Sequence, residues 1–254
     1  MESANVVGYA NKSLDKGKFK VICTQFQNVG VDAADMTLGD FIPGGTWAAS
    51  DSMKIFADNA TVEMTVRYVN QATADALNNT GKFANTITVG WYATTDTTYS
   101  NNLNTKLMPL GTSVMAVSSK TSSYITFAGQ VVQTEDDKIT FALTKGKFTM
   151  IGNCTPTDLT LGDFIPGGTW AASDSMKIFA DNATVEMTVR YVNQATADAL
   201  NKTGKFTNTI TVGWYATTDT TYSNNLNGRS VPAGEGFMAV SSKTASTITI
   251  PTAL

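Results

Sequence analysis

Residues 37–104 and 160–227 of this 254-residue chain carry the same 68-residue sequence at an offset of 123, with 66 positions identical. The two exceptions are Asn79 against Lys202 and Ala84 against Thr207. The match continues more loosely from residues 108–127 to 231–250. Upstream, Lys16-Gly17-Lys18-Phe19 matches Lys145-Gly146-Lys147-Phe148. The first copy carries six extra residues around Asn28–Ala33. Whatever folds one copy must fold the other, so the chain is two like units of about 123 residues, an ordinary single-domain size. The expected boundaries are 1–128, with an N-terminal strand, and 129–254. The identity reports recent duplication or copying between the halves and does not by itself report constraint.

Within each copy the apolar pattern has the period of a strand. Val62, Met64, Val66 and Tyr68 alternate with Glu63, Thr65 and Arg67, which describes a strand buried on one side. Ile87, Val89 and Trp91 alternate with Thr86 and Thr88, and Val114–Val117 and Tyr124–Phe127 read as two further strands. Pro43-Gly44-Gly45, Asp58-Asn59, Asn78-Asn79-Thr80-Gly81 and Asn227-Gly228 are turn signals, the last being the strongest short hairpin signal. Only Ala72–Asn78 reads as a short helix. Strands at this spacing predict an all-β chain of two tandem, near-identical β-sandwich domains, jelly-roll or immunoglobulin-like.

Composition narrows the chemistry. Forty threonines favour pleated, half-buried surfaces. The chain has no histidine, so Ser-His-Asp triads, Cys-His dyads and His-ligated metals are excluded. A net charge of −3 provides no basic surplus for a nucleic-acid backbone. No apolar run reaches the length of a membrane helix. The N-terminus Met1-Glu2-Ser3-Ala4-Asn5 reads as lacking a signal peptide, so either the protein stays in the cytoplasm or the signal has been removed and a start Met added; low charge with abundant Thr, Asn, Ser and Gly leans toward an exported surface protein. Cys23 and Cys154 are expected as two separate, partly buried thiols, with a bridge between them as the alternative.

The chain ends suggest an assembly. Asn5-Val6-Val7 aligns with Gln130-Val131-Val132, which follows copy one directly and makes a stiff joint, while nothing equivalent follows Ile248-Thr249-Ile250 at the end of copy two. The expectation is therefore head-to-tail docking of Asn5, Val6, Val7, Gly8 and Tyr9 of one chain beside Thr247, Ile248, Thr249 and Ile250 of another. A heterologous contact of this kind propagates into a filament, tube or layer.

The segments Glu2–Tyr9 (ESANVVGY) and Gly146–Asn153 (GKFTMIGN), Gly-Trp-Tyr at 90–92 and 213–215, and Pro232-Ala233-Gly234-Glu235-Gly236-Phe237 resemble a loosely defined group of secreted, β-rich, mostly uncharacterised proteins of planctomycete–verrucomicrobial type bacteria. The resemblance covers most of each repeat. It implies export, with the ESANVVGY-like segment opening the mature chain, and a cell-surface or extracellular structural role without catalytic residues. Copy one departs from the pattern with Pro109-Leu110-Gly111-Thr112-Ser113-Val114.

Other residue types define the alternatives. Trp91-Tyr92 and Trp214-Tyr215 precede Thr/Asp/Asn-rich loops, and adjacent strand residues face opposite ways, so one ring of each pair is expected to be exposed or at an interface. Such a ring could stack on a sugar, which makes a tandem carbohydrate-binding or adhesin module the runner-up, with glycans as partners; the other reading is a core Trp beside a domain junction. Asp40, Asp51, Asp58 and Asp96 with Asp163, Asp174, Asp181 and Asp219 are oxygen donors by type, but without the spacing of a calcium loop. Glu63 and Glu186 are carboxylates on a polar strand face and read as solvated rather than catalytic. The expectation is a non-enzymatic chain with no cofactor and no metal, whose partner is itself.

Overall fold

The computed structural model describes residues 7–27, 36–57, 61–131, 138–179 and 185–252. Copy one contains β1 (Val7–Leu14), β2 (Phe19–Cys23), β3 (Phe26–Gln27), β4 (Met36–Thr37), β5 (Ile42–Gly45), β6 (Ser52–Phe56), β7 (Val62–Val69), helix α1 (Gln71–Asn79), β8 (Gly90–Ala93), β9 (Leu107–Met108), β10 (Ser113–Val117) and β11 (Ser123–Val131). Copy two contains β12 (Lys138–Leu143), β13 (Phe148–Gly152), β14 (Leu159–Thr160), β15 (Ile165–Gly168), β16 (Ser175–Phe179), β17 (Val185–Val192), helix α2 (Gln194–Lys202), β18 (Gly213–Ala216), β19 (Ser230–Val231), β20 (Gly236–Val240) and β21 (Ser246–Pro251). Among the described residues the structure is all-β apart from α1, α2 and two single-turn 3₁₀ segments. No helix is long and apolar enough to cross a membrane among the described residues.

The strands fall into small antiparallel sheets rather than the paired sheets of two jelly rolls. In copy one, β1, β11, β3 and β5 form one sheet and β2-β10-β6-β7-β8 a second. Copy two repeats this as β12-β21-β15 and β13-β20-β16-β17-β18, and β4-β9 and β14-β19 are two-stranded. Both larger sheets of copy one feed one core: Leu14, Ile125 and Phe127 from the first, and Ile22, Met53, Val66, Trp91 and Val114 from the second. A smaller core lies on the other side of the five-stranded sheet, where α1 covers Val69, Ile87 and Tyr92 with Ala74 and Leu77.

Local chemistry explains both the agreements and the departures. The alternating segment at 61–69 forms β7, and the expected helix forms as α1, its N-cap Asn70 side chain accepting from Thr73 N at 2.9 Å. The expected strand over residues 86–91 survives only from Gly90. Asn78 supplies both hydrogen bonds to Ile87 (N–H to Oδ1 at 2.8 Å, Nδ2 to the carbonyl at 2.9 Å), so a side chain stands where a ladder partner would be. Pro43-Gly44-Gly45 is an edge strand and not a turn. Gly44 lies under the Tyr124 ring, and Gly45 takes φ of 67° against Ser122 O. Asn227-Gly228 makes a turn, but the Asn227 side chain turns back onto the backbone instead of closing a hairpin.

The alignment of the chain ends also changes. β1 pairs with β11 from Val7↔Gln130 to Leu14↔Ser123, and β12 pairs with β21 from Lys138↔Pro251 to Leu143↔Ser246. The counterpart of β1 is therefore β12, and Gln130-Val131 is the tail of copy one's last strand. Among the described residues, β3 is the one strand of copy one without a counterpart in copy two.

Candidate functional site

The two copies meet along the β2/β10 side of copy one and the β13/β20 side of copy two. Counting 129 residues onward in the strands before the six-residue insertion, and 123 after it, Cys23 corresponds to Gly152 and Ser113 to Gly236. The contacts join these counterparts. A Cβ on Gly152 would stand 2.7 Å from Cys23 Cβ, and one on Gly236 would stand 2.6 Å from Ser113 Oγ. β2 also packs on β20 while β10 packs on β13. Equivalent meeting equivalent is the signature of an isologous, two-fold contact. The copies are thus joined as a pseudo-dimer and not as a linear tandem.

At its axis an isologous seam sets a residue against its own counterpart, and two side chains cannot occupy that space. The chain resolves this by asymmetry: copy one brings Cys23 and Ser113, and copy two brings two glycines. Hydrogen bonds close the seam. Cys23 N donates across it to Gly234 O at 2.8 Å, and the Ser113 side chain adds a bond from Oγ to Ile151 O at 2.8 Å. Gln25 Nε2 donates to Thr155 O at 2.9 Å. Cys23 belongs to the core of copy two, with Cys154. Both thiols are free and buried. Burial pushes the Cys154 thiol up to about 12 and that of Cys23 well above its ordinary value.

Beside the seam lies a cleft of about 430 Å³. Its wall from copy one carries Lys12 and Lys20; its wall from copy two carries Glu186, Arg229, Ser230 and Glu235. Lys12 on β1 points inward, donates to Ala233 O, and has its pKa lowered by burial and then by the Lys20 charge. Arg229 grips Glu186 through two bonds, Nη1–Oε1 at 3.1 Å and Nη2–Oε2 at 2.8 Å.

The residues singled out from sequence take different places. Trp91 and Tyr92 do face opposite sides of β8, but both are buried, because the main core covers one side and α1 the other. Trp91 Nε1 donates to Phe41 O at 2.8 Å, and Tyr92 OH to Thr88 O at 3.0 Å. Trp214 and Tyr215 repeat this with Phe164 and Thr211. Neither pair offers a sugar platform. Gly-Trp-Tyr instead encodes a local lock: Gly90 has φ of 149°, and a Cβ there would stand 2.4 Å from Asn104 Oδ1, which accepts from Trp91 N at 3.0 Å. Gly213 and Asn227 do the same in copy two.

Thr247, Ile248 and Thr249 are paired on both edges, to Ala142, Phe141 and Thr140 of β12 and to Gly167, Pro166 and Ile165 of β15; Ile250 pairs with Ile139. The expected docking strip for a neighbour's N-terminus is therefore filled within the chain. Val7, Gly8 and Tyr9 are likewise paired inside copy one, with Tyr9 75% exposed. Asn5 and Val6 lie outside the described residues, as do Asp58 and Asp181.

The aspartates serve their own loops. Asp40 accepts from Thr37 N at 2.7 Å, and Asp96 from Thr98 N at 3.1 Å and Asn101 N at 3.0 Å. Burial alone would raise the Asp51 pKa, but hydrogen bonds from Ala48 N, Ser118 Oγ and Ser119 N outweigh it and hold the carboxyl below its usual value. Asp174 is held in the same way. Glu63 pairs with Lys106 at 2.9 Å. Compared with family models, curated proteins and solved structures, the chain matches none.

The cleft residues escaped sequence reasoning. Lys12, Lys20, Ser230, Ala233 and Glu235 stand where the other copy has Phe141, Thr149, Leu107, Leu110 and Thr112, but they lie in stretches where the copies diverge broadly, so they do not stand out.

Proposed function

We propose that the protein is a non-catalytic building block of an exported surface structure, a filament, tube or layer made of copies of itself. Each copy acts as one sandwich-like module, and the seam makes the pair a single stiff unit. The observation that carries this reading is bivalence. Among the described residues, β1 is paired on one side only, by β11, and β12 on one side only, by β21. Each runs in unbroken register with its partner, over eight and six residues, with no bulge. Neither strand contains proline; of their lysines, Lys12 of β1 turns inward to Ala233 O, and Lys138 stands only at the first residue of β12. An unpaired edge is a template for another strand. A chain with two such edges, joining β1 of one molecule to β12 of the next, propagates.

Strand donation onto β21 plays no part in this scheme, since β21 has no free edge over Thr247–Thr249. Low charge, the threonine-rich outer faces and the resemblance to secreted β-rich proteins support export. Analytical ultracentrifugation across a concentration series tests the reading. The full chain is expected to show concentration-dependent polymers, and Tyr9→Lys, which places a charge on the exposed part of β1, to shift them toward monomer. Monomers at every concentration would overturn it.

A further inference from the structure

We infer that Lys12 and Gln25 join in an isopeptide cross-link inside copy one, the lysine amine displacing ammonia from the glutamine side-chain amide. Gly234 marks where the two side chains meet. A Cβ there would stand 2.5 Å from Lys12 Cε, 2.8 Å from Lys12 Nζ and 2.9 Å from Gln25 Oε1. Two atoms held that close to one point are neighbours, and φ of 72° together with this crowding reserves the position for glycine. Lys12 arrives from β1, and Gln25 from the two residues that join β2 to β3. Gln25 is 2% exposed, and its amide plane is fixed by the bond from Nε2 to Thr155 O at 2.9 Å. That leaves Oε1 toward Lys12, buried and with no hydrogen-bond partner among the described residues. A buried carbonyl in that state is costly, and neither the fold nor the seam uses it.

The surroundings of Lys12 suit the reaction. Ala233 O accepts one of its N–H bonds and holds Nζ in place, which leaves a neutral amine its lone pair. Burial, and after it the Lys20 charge, favour that neutral, nucleophilic form. Asp158 and Glu235 are carboxylates whose charge reaches Lys12. Asp158 Oδ1 also accepts the Ala233 N–H at 2.9 Å, which sets that carboxylate beside the residue holding Nζ. Nζ attacks Gln25 Cδ; the Nζ–Cδ bond forms and the Cδ–Nε2 bond breaks. One amine proton stays on the new amide. The other passes through a carboxylate to Nε2, which leaves as ammonia. No oxidation state changes, and no co-reactant is needed. Amine and amide held together react as though at about 10⁵ M or more, so positioning takes the place of an enzyme. Copy two has Phe141 at the position of Lys12 and Cys154 at that of Gln25, so one cross-link per chain is expected. The bond fastens β1 to the connection between β2 and β3, so a pull on β1 reaches the core covalently. It forms within one chain and stands independently of the assembly reading.

The test is the intact mass of the full chain, measured under reducing, denaturing conditions after prolonged incubation of the folded protein. The mass is expected to fall short of the sequence mass by one ammonia. Trypsin is expected to leave the fragment ending at Lys16 joined to Val21–Lys54, because a modified Lys12 is no longer cut. Lys12→Arg, which keeps a donor for Ala233 O, and Gln25→Ala are each expected at full mass, with circular dichroism reporting their fold. Should neither variant fold, the joined fragments of the parent decide the matter alone. Full mass in the folded parent would overturn the proposal. So would an ammonia loss that persists in Lys12→Arg, or one that maps to Asn227-Gly228, where ring closure of an Asn-Gly pair produces the same mass change.

Discussion

Substituting Gly236 by alanine adds one methyl group at the seam, where its Cβ would stand 2.5 Å from Val21 Cγ1, 2.6 Å from Ser113 Oγ and 2.9 Å from Ser113 Cβ. Real Cβ atoms do not approach neighbours so closely, so the seam must open or shift. Overpacking a well-packed interior costs about 1–3 kcal/mol. In a chain of this size that lowers the melting temperature by about 2–4 °C per kcal/mol. Gly236 has no positive φ, so backbone strain does not contribute. The partner change Ser113→Gly removes one of the two obstructing side chains and leaves Val21, and it also removes the 2.8 Å bond to Ile151 O, at about 1 kcal/mol or more for the carbonyl left behind. If the seam sets counterpart against counterpart, the two changes must couple. The double variant should be more stable than the sum of the singles by about 0.5–3 kcal/mol, the range for residues in direct contact. Urea unfolding of the four proteins measures this cycle. A neutral Gly236→Ala, or strict additivity, would refute the isologous seam.

Gly90→Ala is expected to cost about 2 kcal/mol or more in the same assay, because φ of 149° and the Asn104 side chain both exclude a Cβ; Asn104→Gly should relieve only the second part. Cys23 and Cys154 should be silent to a thiol reagent at pH 8 in the native state and both react in denaturant, since burial holds both thiols protonated; rapid native labelling would contradict their placement. The lowered pKa values of Asp51 and Asp174 make a stability contribution that is present above the unfolded carboxylate pKa and is lost as pH falls through the lower native values. Unfolding midpoints should therefore fall on acidification below about pH 4, and less steeply in an Asp51→Asn/Asp174→Asn double variant that is weaker at neutral pH.

Duplication and the all-β class were legible in the sequence because each rests on local pattern, identity and period-two alternation, and the short helix expected over Ala72–Asn78 forms as α1. The failures share one cause, side chains acting as backbone. Asn78 replaces a ladder partner for Ile87, Asn104 occupies the space above Gly90, and α1 covers a sheet face that alternation alone would leave to solvent, which buries Tyr92 as well as Trp91. The chain-end argument failed for another reason. Short matches such as Asn5-Val6-Val7 against Gln130-Val131-Val132 cannot fix register, whereas the pairing of Leu14 with Ser123 and of Leu143 with Ser246 does. The seam was partly visible as the divergence at Cys23/Gly152 and Ser113/Gly236, but without a fold nothing in the sequence says that counterparts face each other.

Assembly through two open edges is the claim on which the functional account stands. Electron microscopy of the concentrated, negatively stained full chain tests it most directly, beside a Tyr9→Lys variant. The account predicts uniform polymers with a repeat of one two-copy unit for the parent, shortened or absent in the variant. Dispersed single particles from the parent at every concentration would contradict it.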